Sequence, residues 1–169
     1  MQLNYLSMRD SIDEHVEAWS RQLPGLDPVK EQIVARMAKV MQHLKGSRSD
    51  ALDTGGLAMW QFKTLLMLRR EGEPYELSPS RLAEILGLTR GALSARLANL
   101  EDLGLVARSH DHADRRRVTV RLTTAGREAV ESLLDKEERD EGALLSVLTD
   151  REKDTLAKLL RKLVLAIES

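Results

Sequence analysis

Residues 78–104 read SPSRLAEILGLTRGALSARLANLEDLG, and this stretch predicts two helices joined by a short turn. Ser78 is a favourable N-cap and Pro79 suits the first helical position, so a short helix is predicted to run from here to Gly87. Thr89 is a second N-cap two residues later, and it opens a longer helix. Two helices joined by a short turn that contains glycine form a helix-turn-helix pattern.

The second helix of this pattern has one leucine face and one face of small residues. Leu93, Leu97 and Leu100 recur at helical spacing and are predicted to face the core. The opposite face carries Gly91, Ser94, Ala95, Ala98 and Asp102. A recognition helix presents such a face to the major groove, where Arg90 could pair with guanine and Arg96 with a phosphate. An ordinary amphipathic surface helix would show the same leucine spacing and remains the alternative interpretation.

A β-hairpin is predicted directly after the two helices. The runs LVARS (105–109) and RVTVRL (117–122) favour strands, and the polar segment HDHADR lies between them. In the second run Val118, Val120 and Leu122 alternate with polar or cationic residues, so one face is apolar and the other is cationic. A hairpin in this position is a wing, and Thr123 is predicted to cap the helix that follows.

These residues resemble a known family of regulators. The stretch DRRRVTVRLTTAG (114–126) resembles the wing-and-return motif of the MarR family of winged-helix regulators, which is Asp-x-Arg, strand residues, then Leu-Thr-x-x-Gly. The run LANLEDLGLVAR (97–108) is similar to the end of that family's recognition helix. The resemblance implies that Asp114 holds the wing turn and that Arg116 enters the minor groove, which favours arginine where it is narrow.

The resemblance also implies the fold and the DNA contacts. The expected fold is mainly α with a small β wing, a winged helix-turn-helix flanked by N- and C-terminal dimerisation helices. We expect the recognition helix at 90–103 and the wing at 109–117. The expected DNA contacts are Ser80, Arg90, Gly91, Ser94, Arg96, Arg115, Arg116 and Arg117, with Arg115 and Arg117 on phosphates.

The charge distribution favours a polyanionic partner. The formal net charge is only −1, but nine arginines and five acidic residues between 78 and 127 give this segment +4 and leave −5 for the rest. A basic segment on an otherwise acidic chain is typical of a nucleic-acid-binding face.

Helices are predicted on both sides of this region. Ser11 and Glu14 have capping-box spacing, and Asp27 with Pro28 begins a long helix that is predicted to break at 53–56. A further helix follows over 58–72. After the wing, residues 124–148 form one helix or a helix broken near Gly142. The last helix begins at a second capping box, Thr149 with Glu152.

The last helix carries a leucine-rich stripe that needs a partner: Leu156, Leu159, Leu160, Leu163, Val164 and Ile167. The resemblance implies that both termini interlock into a two-fold homodimer. Its two recognition helices would then address successive major grooves of a pseudo-palindromic operator, about 34 Å apart. We therefore predict a dimerisation region at 1–56 and 128–169 and a DNA-binding region at 57–127.

A ligand site is expected from a second resemblance. Residues 18–37 are similar to N-terminally extended MarR members, including a urate-responsive subgroup, and this implies that Trp19 lines a ligand pocket. An acidic residue of that subgroup falls at Lys63 here, which argues against urate and favours a small anionic or aromatic ligand. Core packing of Trp19 and a plain surface charge at Lys63 are the alternatives. The expected function is a repressor that a ligand releases from double-stranded DNA.

The composition excludes several classes of function. There are no cysteines, which excludes disulfides and thiolate metal sites. No apolar run has membrane-spanning length and the N-terminus lacks a signal pattern, so we expect a cytoplasmic protein without membrane contact. No catalytic or phosphate-binding motif is present, so neither an enzyme nor a cofactor is expected. Two alternatives stay open: a winged-helix protein-interaction module, and a metal-responsive regulator that uses His110 and His112.

Overall fold

The chain is mainly helical with a small antiparallel sheet, as expected. The computed structural model describes residues 8–110 and 118–169. The elements of these ranges are α1 (Ser11–Gln22), α2 (Pro28–Gly55), α3 (Met59–Arg70), β1 (Glu76–Leu77), α4 (Pro79–Leu86), α5 (Arg90–Asp102), β2 (Val106–His110), β3 (Val118–Leu122), α6 (Thr124–Leu145) and α7 (Asp150–Glu168). They fall into two compact units, one up to Gly46 and one from Ser47 onward, and α2 contributes to both.

In the first unit, the capping box of α1 lies one residue earlier than the sequence pattern predicted. The N-cap is Asp10, whose side chain accepts from the backbone N–H of Asp13 at 3.0 Å, while Asp13 accepts from the N–H of Asp10 at 2.8 Å. The predicted box of Ser11 and Glu14 is therefore wrong by one residue. The cause is tertiary, because Arg36 of α2 pairs with both Asp10 and Asp13, at 2.8 Å and 2.6 Å.

This ion pair is the main polar link between α1 and the first half of α2. The Arg36 guanidinium lowers the pKa of the Asp10 carboxyl below its usual value, and the two aspartates raise the pKa of Arg36. His15 adds a contact to Glu31 at 3.1 Å. Val16 is buried, and most other apolar side chains of α1 and α2 in this unit are exposed.

The second unit has one hydrophobic core beneath the helix-turn-helix. Its fully buried side chains come from α3, α4, α5, β3 and α6: Leu65, Leu68, Leu82, Leu93, Leu97, Leu100, Val120 and Val130. Ala51 and Leu52 from the end of α2 belong to the same core. Their burial explains why α2 continues to Gly55, through the residues at which a break was predicted.

The sheet has three strands in the order β1-β3-β2, and all pairs are antiparallel. The predicted hairpin is confirmed in its two strands, with Val106 paired to Leu122 and Arg108 to Val120. The two-residue strand β1 was not predicted, and it pairs Leu77 with Val120 on the other edge of β3. The sheet thus ties the segment before α4 to the base of the wing.

At the return from the wing, the first turn of α6 passes close to the backbone of Leu105. Thr123 caps α6 by accepting from the N–H of Gly126 at 3.0 Å, and its hydroxyl donates to the carbonyl oxygen of Gly104 at 2.7 Å. A Cβ on Gly126 would lie 1.9 Å from the carbonyl oxygen of Leu105, so only glycine fits this turn of α6. The Leu-Thr-x-x-Gly motif therefore has a steric explanation: it lets α6 lie directly on the start of the wing.

The C-terminal helices resolve the alternative that the sequence left open. Helix α6 is continuous through Gly142. Helix α7 begins at the predicted capping box, where Glu152 accepts from the N–H of Thr149 at 2.8 Å. This contact and the Thr149 hydroxyl lower the pKa of the Glu152 carboxyl. No side chain of α7 is buried within the chain.

Candidate nucleic-acid interface

The turn between α4 and α5 has the geometry that the sequence predicted. Ser78 caps α4 by accepting from the N–H of Arg81, and Thr89 caps α5 by accepting from the N–H of Ala92. Gly87 ends α4 with a φ of 63°, a left-handed conformation that glycine adopts without steric cost. The N–H of Leu88 then bonds to the carbonyl of Ala83 at 2.9 Å, which closes the turn.

Helix α5 presents the face of small residues to solvent. Leu93, Leu97 and Leu100 are each at most 1% exposed, so the opposite face must point outward. The residues of that face are all exposed: Gly91, Ser94, Ala95, Ala98 and Asp102. Nothing lies within 4 Å of a Cβ built on Gly91, so the approach to the first turn of α5 is open. A surface of this shape lets a bulky polymer come close to the helix backbone.

On one flank, α5 is fixed by the wing. Arg108 of β2 pairs with Glu101 at 3.2 Å and also donates to the carbonyl oxygen of Ser94 at 3.2 Å. Two turns of α5 are thereby tied to one strand. Arg108 was not among the expected site residues, because its partner is seven positions away in a different element and no local pattern marks the pair.

The same flank contains a cavity of about 240 Å³. It brings together three of the expected DNA contacts, Ser80, Arg90 and Ser94, with Arg108 as a fourth polar wall. The apolar part of its lining comes from Pro79, Leu93, Leu97 and Val118. Two guanidinium groups therefore border one depression between α4, α5 and the wing strands.

On the other flank, α5 is fixed by the first turn of α3. The guanidinium of Arg96 lies over the ring of Trp60, with its carbon 5.4 Å from the ring centroid. The side-chain amide of Gln61 donates to the Oδ1 of Asn99 at 2.8 Å. Neither Trp60, Gln61 nor Asn99 was predicted as a site residue. The recognition helix is thus held from both sides while its small-residue face stays open.

The arginines of this region differ in how freely their charge is available to an anionic partner. Arg81 of α4 pairs with Glu84 at 2.7 Å, and this carboxylate raises the pKa of the guanidinium above its usual value. The positive charge of Arg81 is therefore partly neutralised locally. Arg90 and Arg121 are exposed, at the start of α5 and in β3.

Arg115, Arg116 and Arg117 lie outside the described residues, as do Asp114 and His112. Strand β2 leads into this segment and β3 leads out of it. The roles expected of the three arginines therefore stay predictions.

The two expected ligand residues belong to different units. Trp19 is 46% exposed on α1, and its ring makes an edge contact with His15 at a centroid distance of 6.3 Å. Core packing of Trp19 within its own unit is thus excluded. Lys63 is exposed on α3 in the second unit. Each is accessible, and the ligand role of both stays a prediction.

Metal-ligand clusters and membrane-spanning helices are both absent from the described residues. Residues 8–110 and 118–169 hold no group of three or more histidine, aspartate or glutamate side chains placed to bind a metal ion. None of the helices in those ranges combines the length and the hydropathy needed to cross a bilayer.

Comparison with known proteins points to one family. The MarR family model matches residues 56–117, which include the helix-turn-helix and the wing segment. The HTH-type transcriptional repressor YetL of Bacillus subtilis (strain 168) is 30% identical over 163 residues, which cover 95% of this chain and 93% of that relative.

Solved structures share the architecture. The YusO protein from Bacillus subtilis superposes with a TM-score of 0.72 at 25% identity, covering 84% of this chain and 99% of that one. The MepR–DNA complex of S. aureus has a TM-score of 0.66 at 26% identity, covering 77% and 96%. MepR has also been solved bound to ethidium bromide, with a TM-score of 0.66 at 25% identity and coverage of 79% and 95%.

Proposed function

The chain belongs to the MarR family of transcriptional regulators, and we propose on this basis that it is a dimeric, sequence-specific DNA-binding repressor that a small molecule releases from its operator. The observation that carries the proposal is the open small-residue face of α5. The helix itself is held at both flanks, by α3 on one side and by the wing strand β2 on the other. A helix whose rotation is fixed before binding loses little freedom when it enters the major groove.

Base recognition is assigned to the first half of α5. Arg90 can form a bidentate pair with guanine, and Gly91 and Ser94 allow the helix to approach the base edges. Ser80 lies in the first turn of α4, where N–H groups favour a phosphate. Arg96 binds a phosphate on the other side of the groove. Arg116 enters the minor groove.

The proposed homodimer is supported by apolar surface that the single chain does not bury. Helix α7 exposes Leu159, Leu163 and Val164 to between 45% and 58%, although a helix of this pattern normally packs against a partner. In the first half of α2, Val29 and Ile33 are 65% and 52% exposed. We therefore assign residues 1–56 and 128–169 to dimerisation and 57–127 to DNA binding.

Release by a ligand is proposed to act on the spacing of the two recognition helices. A shift of a few ångströms prevents both helices from entering successive major grooves together, so a ligand that favours one dimer shape dissociates the complex. The neighbour MepR has been solved with DNA and with ethidium bromide. For the present chain we propose a small anionic or aromatic ligand, with Trp19 and Lys63, taken separately, as its candidate contacts.

Selection of duplexes from a random pool tests this function. The expected product is a pseudo-palindrome whose half-sites lie one helical turn apart, bound with an affinity that falls steeply with salt. Metabolites are then screened for release, with Trp19 and Trp60 as fluorescent reporters. A chain that enriches no sequence and binds no duplex at low salt is not a DNA-binding repressor, and an acidic protein partner would then explain the arginines better.

A further inference from the structure

The first turn of α3 determines which atoms Asn99 can offer to a ligand. Gln61 is only 8% exposed, and its Oε1 accepts from the backbone N–H of Ala58 at 2.7 Å. A backbone N–H can only donate, so the oxygen of the Gln61 amide must face Ala58. The Nε2 of Gln61 therefore faces Asn99, 2.8 Å from its Oδ1.

The two hydrogen bonds run in the same direction: Ala58 donates to Gln61, and Gln61 donates to Asn99. Because the Gln61 amide donates, Asn99 must present its oxygen to it, and the N–H₂ group of Asn99 is turned away from α3. Asn99 is exposed, so this N–H₂ group belongs to the surface of α5. A rotated Asn99 amide would leave two N–H donors facing each other, which costs a hydrogen bond in a half-buried place.

Asn99 is not alone on this flank. Arg96 precedes it by three residues, so the two side chains are neighbours on the helix surface. The residue next to Gln61 in α3, Trp60, holds the guanidinium of Arg96 over its ring. Two consecutive residues of α3 thus hold two donor-bearing side chains of α5. An arginine over an aromatic ring keeps the N–H groups at its edge available for an anion.

We propose that Asn99 is a further DNA contact, which donates its amide N–H₂ to a backbone phosphate beside the one bound by Arg96, and that Gln61 is the positioning residue that keeps this donor outward. The inference rests on the proposed function. A phosphate oxygen only accepts hydrogen bonds, so an outward Asn99 oxygen would be repelled where an outward N–H₂ is bound. The flanks of a helix in the major groove face the phosphate strands that border it.

The first test is Asn99→Ala against Asn99→Asp. Both remove the outward N–H₂, and the aspartate still accepts from Gln61. Asn99→Ala is expected to lose about tenfold in duplex affinity, and Asn99→Asp more, because its carboxylate also repels the phosphate. The loss should be equal for different operator sequences. For Asn99→Ala the salt slope should also stay unchanged, because asparagine and alanine are both neutral, whereas Arg96→Ala should flatten the slope by about one unit. Wild-type affinity for Asn99→Ala, or a loss confined to one base position, overturns the proposal.

The decisive test is Gln61→Glu measured in two backgrounds. The carboxylate still accepts from Ala58, but it can no longer donate, so Asn99 must rotate and turn its oxygen outward. We expect Gln61→Glu to weaken duplex binding at least tenfold in the wild type and much less in the Asn99→Ala variant. If the effect comes only from the added negative charge, the fold-change is the same in both backgrounds, and the positioning role is refuted.

Two measurements keep the outcomes separable. Thermal unfolding of each variant identifies a loss of fold. If Gln61→Glu does not fold, the pair Asn99→Ala and Asn99→Asp carries the test of the contact, because Asn99 is exposed. Wild-type binding to a selected duplex is measured first. No binding by the wild type refutes the proposed function, whereas binding that is indifferent to Asn99 refutes only this inference.

Discussion

Gly126 lies where the first turn of α6 passes over the backbone at the base of the wing. We expect Gly126→Ala to be strongly destabilising, because the new Cβ would lie 1.9 Å from the carbonyl oxygen of Leu105 and 2.9 Å from its carbon. An ordinary contact is about 3.4 Å, so the helix or the wing base has to move by roughly 1.5 Å. Such a shift also stretches the cap, in which Thr123 accepts from Gly126 and donates to Gly104.

The size of the effect follows from three contributions. Overpacking against a rigid backbone costs up to about 3 kcal/mol, and a weakened N-cap costs about 1 kcal/mol. Alanine is a better helix former than glycine by about 1 kcal/mol, which offsets part of this cost. The net expectation is a loss of about 3 kcal/mol in the free energy of unfolding. With a urea m-value of about 2 kcal/mol/M, the midpoint falls by about 1.5 M.

The control is Gly142→Ala in the same helix. Gly142 is exposed and has nothing within 4 Å of an added Cβ, so this variant should be more stable than the wild type by about 0.5–1 kcal/mol. Urea unfolding followed by circular dichroism at one fixed protein concentration compares the three chains, since dimerisation makes the midpoint concentration-dependent. An unfolding midpoint for Gly126→Ala at or above the wild-type value refutes the steric explanation of the motif.

Three further predictions concern the interface and the first unit. Arg116→Ala should weaken binding to all duplexes and flatten the salt slope by about one unit, as measured by fluorescence anisotropy at several salt concentrations; an unchanged slope argues against a contact with the DNA backbone. Arg90→Ala should instead relax the preference at one base position per half-site, by about 1–3 kcal/mol, in a repeated selection; a uniform loss would mark Arg90 as a phosphate contact. Arg36 lowers the pKa of Asp10, so this pair stabilises the fold above the ordinary aspartate pKa, and the contribution is lost as the pH falls through the lowered value. Arg36→Gln should therefore raise the pKa of Asp10 in an NMR titration, and identical titration curves would contradict the pairing.

The elements that carry strong local signals could be predicted from the sequence. Ser78, Gly87 and Thr89 determine the turn between α4 and α5 through caps and a left-handed glycine, and each acts over three or four residues. The leucine spacing of α5 then identified both its buried and its exposed face. These signals were sufficient for the helix-turn-helix and for the face that is proposed to meet DNA.

The features that depend on distant residues could not be predicted. Asp10 and Ser11 each begin a plausible capping box, and the choice is made by Arg36, which lies on another helix. Strand β1 has only two residues, too few for a recognisable alternation, and it forms because β3 offers a free edge. The continuation of α2 to Gly55, past the start of the predicted break, likewise follows from the burial of Ala51 and Leu52.

The contacts that hold the recognition helix also depend on residues that are distant in the sequence. Trp60 and Arg96 are thirty-six positions apart in the chain, and Gln61 and Asn99 are thirty-eight apart. Each residue alone has an ordinary interpretation, as a half-buried aromatic or a surface amide. Only the fold brings them together, and this explains why the expected DNA contacts included Arg96 but not the residues that orient its neighbour.

In the proposed function, two copies of this chain read a two-part operator with paired recognition helices. The most direct measurement titrates the purified protein against a selected duplex and against the same duplex with one half-site scrambled, at several salt concentrations. The expected result is two chains per intact duplex, a logarithmic salt slope of several units, and an affinity at least a thousandfold lower for the scrambled duplex. Equal affinity for the two duplexes, or binding by a single chain, would contradict it.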